Sequence, residues 1–331
     1  MPVDLKRITA RDVAALAGVS QSTVSYVLND TPTQSISAAT TERVLAAAAE
    51  LGYTPSAAAR ALRRGTSETV VVLLPEVPVG GTISAFLEQF SDELEPHGLT
   101  TIYRRQRADQ GLLPLWQELM PAAVVNVFAL PLADVARMEG RGIPIIGSHL
   151  DRPEDRGLSV PQEAIGQMQV RHLAQQGHVR IGYAASIDPR VTAFLKARIA
   201  GAQQACLELG LPAPVVLDVA PDVGLAADAV RVWRAGAEPV TAICAYNDEV
   251  AFAVMAGLRR LALKVPQDVA LIGVDNVLFA PFADPPLTSI DVHTELLARQ
   301  LAQMVLSRLN LGGPVPDTQV AVIELVPRAS A

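Results

Sequence analysis

From about residue 68 onward, short runs rich in Val and Ile alternate with longer amphipathic runs, and that alternation leaves few architectures open. A buried β-branched run, a helical run and a second buried run make a βαβ unit, with parallel strands and helices covering the sheet. Strands are expected at 70–74, 99–103, 124–128, 143–147, 179–184, 215–219, 241–245, 269–274 and 320–325, most of them apolar enough to be buried on both faces. Helices are expected near 83–96, 112–119, 132–142, 163–177, 192–209, 223–235, 249–261 and 294–309. Nine strands exceed what one open sheet of modest size needs, so two doubly wound parallel-sheet lobes with a cleft between them are the expected body.

Composition agrees. At 331 residues and 50% hydrophobic, the chain has material for two or three buried cores. Cys206 and Cys244 are its only cysteines, too few for a disulfide framework or a zinc ribbon, which points to a reducing compartment and the cytoplasm. No apolar segment follows the N-terminal Lys6-Arg7 pair in the manner of a signal peptide. The least polar stretch, 120–133, is broken by Pro121, Asn126 and Pro131 and is shorter than the roughly 20 residues needed to cross a bilayer. No membrane contact is expected.

The first 67 residues carry no strand pattern, and their charge differs from the rest: +2 against −9 for the remainder of a chain whose formal net charge is −7. A small basic all-α head on an acidic body is the reading. Thr9 caps a first helix through Ala17, Gly18 stops it, and Ser20 opens a second helix from Gln21 to Leu28 after a very short turn. Val13, Leu16 and Ala17, then Val24, Val27 and Leu28, form the expected seam. The outward residues Gln21, Ser22, Ser25, Tyr26 and Asn29 are hydrogen-bonders rather than the Glu/Lys mixture of an ordinary solvated face. A Gln fits the adenine edge and a helix fits the major groove, so double-stranded DNA is the expected partner. A plain α-hairpin would show the same caps. A third helix, 38–51, capped by Ser37 and stopped by Gly52, completes the unit. Ser56 to Arg64 is Ala-rich and marginal as an isolated helix; it offers Arg60, Arg63 and Arg64 to phosphates and Leu62 as an apolar wedge, or else is a solvated linker.

The string from Ile8 to Asn29 resembles the head of the lactose/galactose repressor family (the LacI/GalR type). The likeness continues through Ser37–Arg43, Leu51-Gly52-Tyr53-Thr54-Pro55, Ala59-Arg60-Ala61-Leu62-Arg63 and Pro285-Pro286-Leu287-Thr288-Ser289-Ile290 to the C-terminal Leu325–Ser330. The resemblance implies a transcriptional regulator: a homodimer or a higher oligomer built from it, on a pseudo-palindromic operator. Its DNA contacts would come from Thr9, Ser20, Gln21, Ser22, Thr23, Ser25, Tyr26, Asn29, Ser37, Thr40, Ala59, Arg60, Leu62 and Arg63, with Leu62 inserted at the operator centre. It implies a DNA-binding domain at 1–54, a hinge at 55–67 and a periplasmic-binding-protein-like body at 68–331. The body's N-lobe would take 68–158 and 293–318, and its C-lobe 159–291 and 319–327. Crossings between lobes would fall near Ser159, near Ile290–Val292 and before Asp317–Val320. Tyr26 stands where the family often has a basic residue, and Pro161 falls in a stretch where it usually has Asp.

Ligands of open α/β sheets sit beyond the carboxyl ends of the strands. Arg198, Asn247, Asp248 and Asp275 fall there, and the resemblance makes them effector contacts. Their chemistry suits a small polyol, a carbohydrate above all, or a nucleobase-like ligand, since carboxylates accept paired hydroxyls and a guanidinium donates in a fork. Asn247 or Asp248 would equally serve as a helix cap; Asp275 is the strongest candidate. Phe279 and Phe282 lie close by, with core packing their expected role. No Gly-x-Ser-x-Gly, P-loop, His-Glu-x-x-His or paired-Cys motif is present, so neither catalysis, a cofactor nor a metal is expected. The rival readings are a binding protein or a sugar-processing enzyme without DNA function.

Overall fold

The computed structural model describes residues 8–28, 36–54, 66–74, 76–105, 119–126, 132–147, 160–313 and 323–331. It divides into one compact unit, Met1–Glu68 with Leu115–Met120, and a second, Thr69–Pro114 with Pro121–Ala331.

The first unit contains α1 (Ala10–Ala17), α2 (Gln21–Leu28) and α3 (Ala38–Leu51). Each begins at a side-chain cap. The Asp12 carboxylate accepts from the Thr9 N–H at 2.8 Å and the Thr9 hydroxyl at 2.6 Å. Ser20 Oγ accepts from the Thr23 N–H at 3.0 Å, and Ser37 Oγ from the Thr40 N–H at 3.3 Å. Val13, Ala14, Ala17, Val24, Val44, Ala47 and Ala48 form the core. Leu16, expected in that seam, is 48% exposed. The buried arc of α1 runs through Val13, Ala14 and Ala17, where alanines let α3 approach closely, and Leu16 falls at its edge. Val27 and Leu28 pack partly buried against it.

The second unit carries two sheets. The smaller has the order β2-β1-β3-β4, all parallel: β1 (Thr69–Leu74), β2 (Thr100–Arg105), β3 (Ala123–Asn126) and β4 (Ile145–Gly147). It is flanked by α4 (Gly81–Leu94), and α5 (Leu132–Glu139) lies between β3 and β4 in the chain. Next come α6 (Gln162–Gln175), β5 (Ile181–Ser186), α7 (Thr192–Glu208), β6 (Val215–Val219), α8 (Val223–Arg234), β7 (Ala242–Ala245), α9 (Asp248–Arg260), β8 (Ala270–Val274) and β9 (Thr288–Asp291). After β9 the chain leaves for α10 (Thr294–Arg308), whose Leu297, Leu301 and Val305 pack with Val70 and Val72 of the first sheet and Phe90 of α4. It returns as β10 (Glu324–Val326), giving a six-stranded sheet of order β10-β9-β8-β7-β5-β6.

Two strand expectations are corrected. Thr288–Asp291, not expected as a strand, pairs with β8 in parallel; four residues bounded by Pro285-Pro286 and a turn carry no readable alternation, and the chain leaves the sheet just after them, beside the crossing expected near Ile290–Val292. The last expected strand is a short edge strand antiparallel to β9, not a buried parallel one. The helix expected at 112–119, apart from Leu119, and the crossings near Ser159 and Asp317 lie outside the described residues.

One helix contact positions the site. A Cβ on Gly166 would stand 1.9 Å from the Arg198 carbonyl oxygen, and one on Gly201 would stand 1.9 Å from that of Glu163. Only glycine on both helices permits this approach of α6 to α7, which brings Arg198 beside Gln162. Buried Gln169 on α6 donates to the carbonyls of Ala245 at 2.8 Å and Ile272 at 3.4 Å, tying α6 to the C-terminal ends of β7 and β8.

Candidate functional site

In the head, α2 turns Gln21, Ser22 and Tyr26 outward, with Ser25 half-buried. Thr9, Ser20 and Ser37 are exposed, while Thr23 and Thr40 are half-buried and pair with the caps: Ser20 Oγ to Thr23 Oγ1 is 2.8 Å and Ser37 Oγ to Thr40 Oγ1 is 2.9 Å. Several expected DNA-facing hydroxyls therefore also close helix starts, where free backbone N–H groups and the helix dipole favour an anion. Asn29, Ala59, Arg60, Leu62 and Arg63 lie outside the described residues.

In the body, a cavity of about 210 Å³ opens beyond the C-terminal ends of the strands, lined from both sheets. Leu74, Ile83 and Phe86 contribute apolar walls from the smaller sheet's side; Val191, Phe194, Val277 and Val292 contribute them from the other. Convergent polar groups are Gln162, Arg198, Asn247, Glu249 and Asp275.

Arg198 is 6% exposed and is held on three sides. Its Nε donates to Gln162 Oε1 at 2.7 Å, one terminal nitrogen donates to the Tyr246 carbonyl oxygen, and the other stands 4.0 Å from Asp275 Oδ1. Its guanidinium carbon lies 4.6 Å from the Tyr246 ring centroid, within cation–π range. Asp275 follows β8 in the left-handed region, with φ +96°, and Asn276 with φ +47°. Such backbone persists only where neighbours over-determine it. Here β9 does so: the Asp275 N–H donates to the Ile290 carbonyl at 2.8 Å and the Asn276 N–H to Ser289 Oγ at 3.0 Å. Asn276 Nδ2 also donates to Asp291 Oδ2 at 2.9 Å, while Arg328 donates to Asn276 Oδ1 at 2.6 Å. Burial pushes the Asp275 carboxyl up, and the Arg198 guanidinium pulls it back down.

Asn247 caps α9, accepting from the Val250 N–H at 3.0 Å, while its Nδ2 donates to Glu249 Oε2 at 3.2 Å. It both caps and lines the cavity. Asp248, expected as a ligand contact, turns the other way and does not line the cavity. It is wholly buried, accepts from Ser289 Oγ at 2.7 Å and the Val277 N–H at 2.9 Å, and occupies the space a side chain at Gly273 would need. Burial pushes its carboxyl up to about 7, against the pull of those two hydrogen bonds. Phe279 and Phe282, expected in the core, are 67% and 77% exposed.

Sequence reasoning did not single out Gln162, Tyr246 or Glu249. The signal for Glu249 was its place in the first turn of a helix that starts at a strand's C-terminal end. Its Oε1 lies 3.4 Å from where a Cβ on Gly80 would stand, so its charge faces the N-terminus of α4, a favourable pairing with that helix dipole. Among the described residues, no group of three or more His, Cys, Asp or Glu is placed to hold a metal, and no helix is long and apolar enough to cross a membrane.

A three-helix head with an outward hydrogen-bonding helix, joined in one chain to an α/β body with a cavity lined from both sheets, defines a ligand-responsive DNA-binding regulator. Residues 9–56 match the model of bacterial regulatory proteins of the lacI family, and residues 170–331 that of a periplasmic binding protein-like domain. The chain is 32% identical over 331 residues to the HTH-type transcriptional regulator GalR of Escherichia coli, covering 97% of this chain and 95% of that one. It is 30% identical over 347 residues to the HTH-type transcriptional regulator CelR of Thermobifida fusca, covering 98% of each. A LacI-family transcriptional regulator from Silicibacter pomeroyi shares the fold with a TM-score of 0.81 at 21% identity, over 98% of this chain and 99% of that one. The lac repressor dimer bound to operator and the anti-inducer ONPF does so with a TM-score of 0.77 at 23% identity, over the same shares. This chain belongs to the LacI family of DNA-binding transcriptional regulators.

Proposed function

We propose that a homodimer of this chain represses transcription from a pseudo-palindromic operator and that a sugar bound in the body cavity alters its operator affinity. The observation that carries this reading is the outward face of α2: Gln21 and Ser22 are exposed beside Tyr26, and a face of uncharged hydrogen-bonders suits base edges better than solvent. Gln21, Ser22, Ser25, Tyr26 and Asn29 read bases. Thr9, Ser20, Thr23, Ser37 and Thr40 meet phosphates around the helix starts. The hinge at 55–67 presents Ala59, Arg60, Leu62 and Arg63 to the operator centre, Leu62 as a minor-groove wedge. Arg198, Asn247 and Asp275 bind the effector, while Asp248 holds the turn that carries Asp275.

Effector binding draws on groups from both sheets, so it biases their closure and through it the hinge; couplings of this kind are typically about 1–3 kcal/mol. Leu278, Phe279 and Phe282, between 67% and 77% exposed, supply an apolar surface for the partner subunit. The protein works in the cytoplasm. Selection of duplexes from a random pool by the purified full chain tests the reading. An enriched palindrome is expected, bound more weakly as salt rises; each phosphate neutralised steepens the log–log slope by about 0.9. A pool that stays random overturns it.

A further inference from the structure

The cavity is not a single chamber. A second one of about 650 Å³ adjoins the inner 210 Å³ and shares Pro78, Val191, Tyr246, Asn247 and Glu249 with it. The inner chamber alone falls below the roughly 300–1,000 Å³ usual for small-molecule sites, and the outer one lies within that range. The two differ in character. Inner walls such as Phe86, Phe194 and Leu74 suit the apolar C–H faces of one ring, with Asp275 as an acceptor that takes no hydrogen bond from any described residue. The outer chamber has a mainly apolar wall, with Ile187, Val219, Val250 and Ala253, and adds Ser186, Asp188 and Arg190 to the shared Asn247 and Glu249 as polar groups for a second ring.

Charge narrows the ligand further. Among the described residues two cations line the chambers: Arg198 donates to Gln162 and the Tyr246 carbonyl and stands 4.0 Å from Asp275, and Arg190 donates through Nε to both carboxylate oxygens of Asp188 at 2.9 and 3.1 Å. The lining carboxylates Asp188, Asp275 and Glu249 outnumber these two guanidinium groups, and that balance disfavours an anion.

We infer that the effector is an uncharged ligand of two glycosidically linked sugar units, one in the inner chamber against Asp275 and one in the outer chamber, and that phosphorylated sugars are refused. This rests on the cavity being the effector site. The test is calorimetric titration of the full chain with cellobiose, lactose, melibiose, maltose, sucrose and trehalose, with glucose, galactose and fructose, and with glucose 6-phosphate and galactose 6-phosphate. At least one disaccharide binds about tenfold or more tighter than either constituent monosaccharide, the gain two added hydrogen bonds give. Ala253→Phe, which lies in the outer chamber only, removes that gain and leaves monosaccharide binding intact. Failure of every neutral disaccharide to bind, equal affinity for disaccharide and monosaccharide, or tighter binding of a phosphorylated sugar overturns the inference. If a sugar binds and Asp275→Asn leaves its affinity unchanged, the cavity assignment itself fails. If Asp275→Asn abolishes binding while Ala253→Phe does nothing, only the two-chamber inference fails.

Discussion

Asp248 makes the stability of the body depend on pH in the direction opposite to that of an ordinary carboxylate. It is wholly buried, and desolvation moves its carboxyl from the ordinary 3.8 to about 7. The native state then holds the proton more tightly than the unfolded chain. Its contribution is most favourable below about pH 4 and is lost as pH rises through 7. A shift of about three units at 1.36 kcal/mol each is worth about 4 kcal/mol. Asp248→Asn cannot ionise. It retains an acceptor for the Ser289 hydroxyl but turns a donor toward the Val277 N–H, adding a cost that does not vary with pH. Urea unfolding of both proteins between pH 4 and 8, followed by the fluorescence of buried Trp233, isolates the effect. The stability of the variant relative to wild type should rise by about 4 kcal/mol across that range. A difference that stays flat with pH refutes the assignment of a buried, proton-holding carboxylate.

Three further outcomes are expected. Gly201→Ala puts a methyl group 1.9 Å from the Glu163 carbonyl oxygen, so α6 and α7 must separate; thermal unfolding should report a loss of about 1–3 kcal/mol, and ligand affinity should fall as Arg198 leaves Gln162. Gln21→Ala removes an exposed side chain, so unfolding should be unchanged, while discrimination between operator and random duplex, read by anisotropy, should shrink by about 1–3 kcal/mol. Phe282→Asp places a charge on a residue 77% exposed; sedimentation should show monomer replacing dimer, with the folded body intact by circular dichroism.

The parts of the fold readable in the sequence were those set by local chemistry. Ser37 and Gly52 bound α3 as expected because a hydroxyl cap and a left-handed glycine act within one turn. β6 begins and ends where its apolar run does. What escaped depended on the partner across space. The four residues of β9 are a strand only because β8 and β10 flank them. Adjacent Asn247 and Asp248 read alike in sequence, yet one turns to the cavity and the other into the core, a choice made by the Ser289 hydroxyl 41 residues away. Phe279 and Phe282 look like core residues until the lobe's core is already filled without them. Arg198 and Asp275, expected from the sequence at the strands' carboxyl ends, do line the cavity; Gln162 and Tyr246, which orient the guanidinium, are defined by tertiary packing alone.

The central claim is that one chain couples a DNA-reading helix to a sugar-binding cavity, and linkage makes that measurable from both ends. The operator Kd is determined with and without the saturating saccharide that binds most tightly, and the saccharide Kd with and without saturating operator. The account predicts that the two Kd values change by the same factor, on the order of 5- to 150-fold. Two tight but independent binding events, with neither Kd altered by the other ligand, would contradict it.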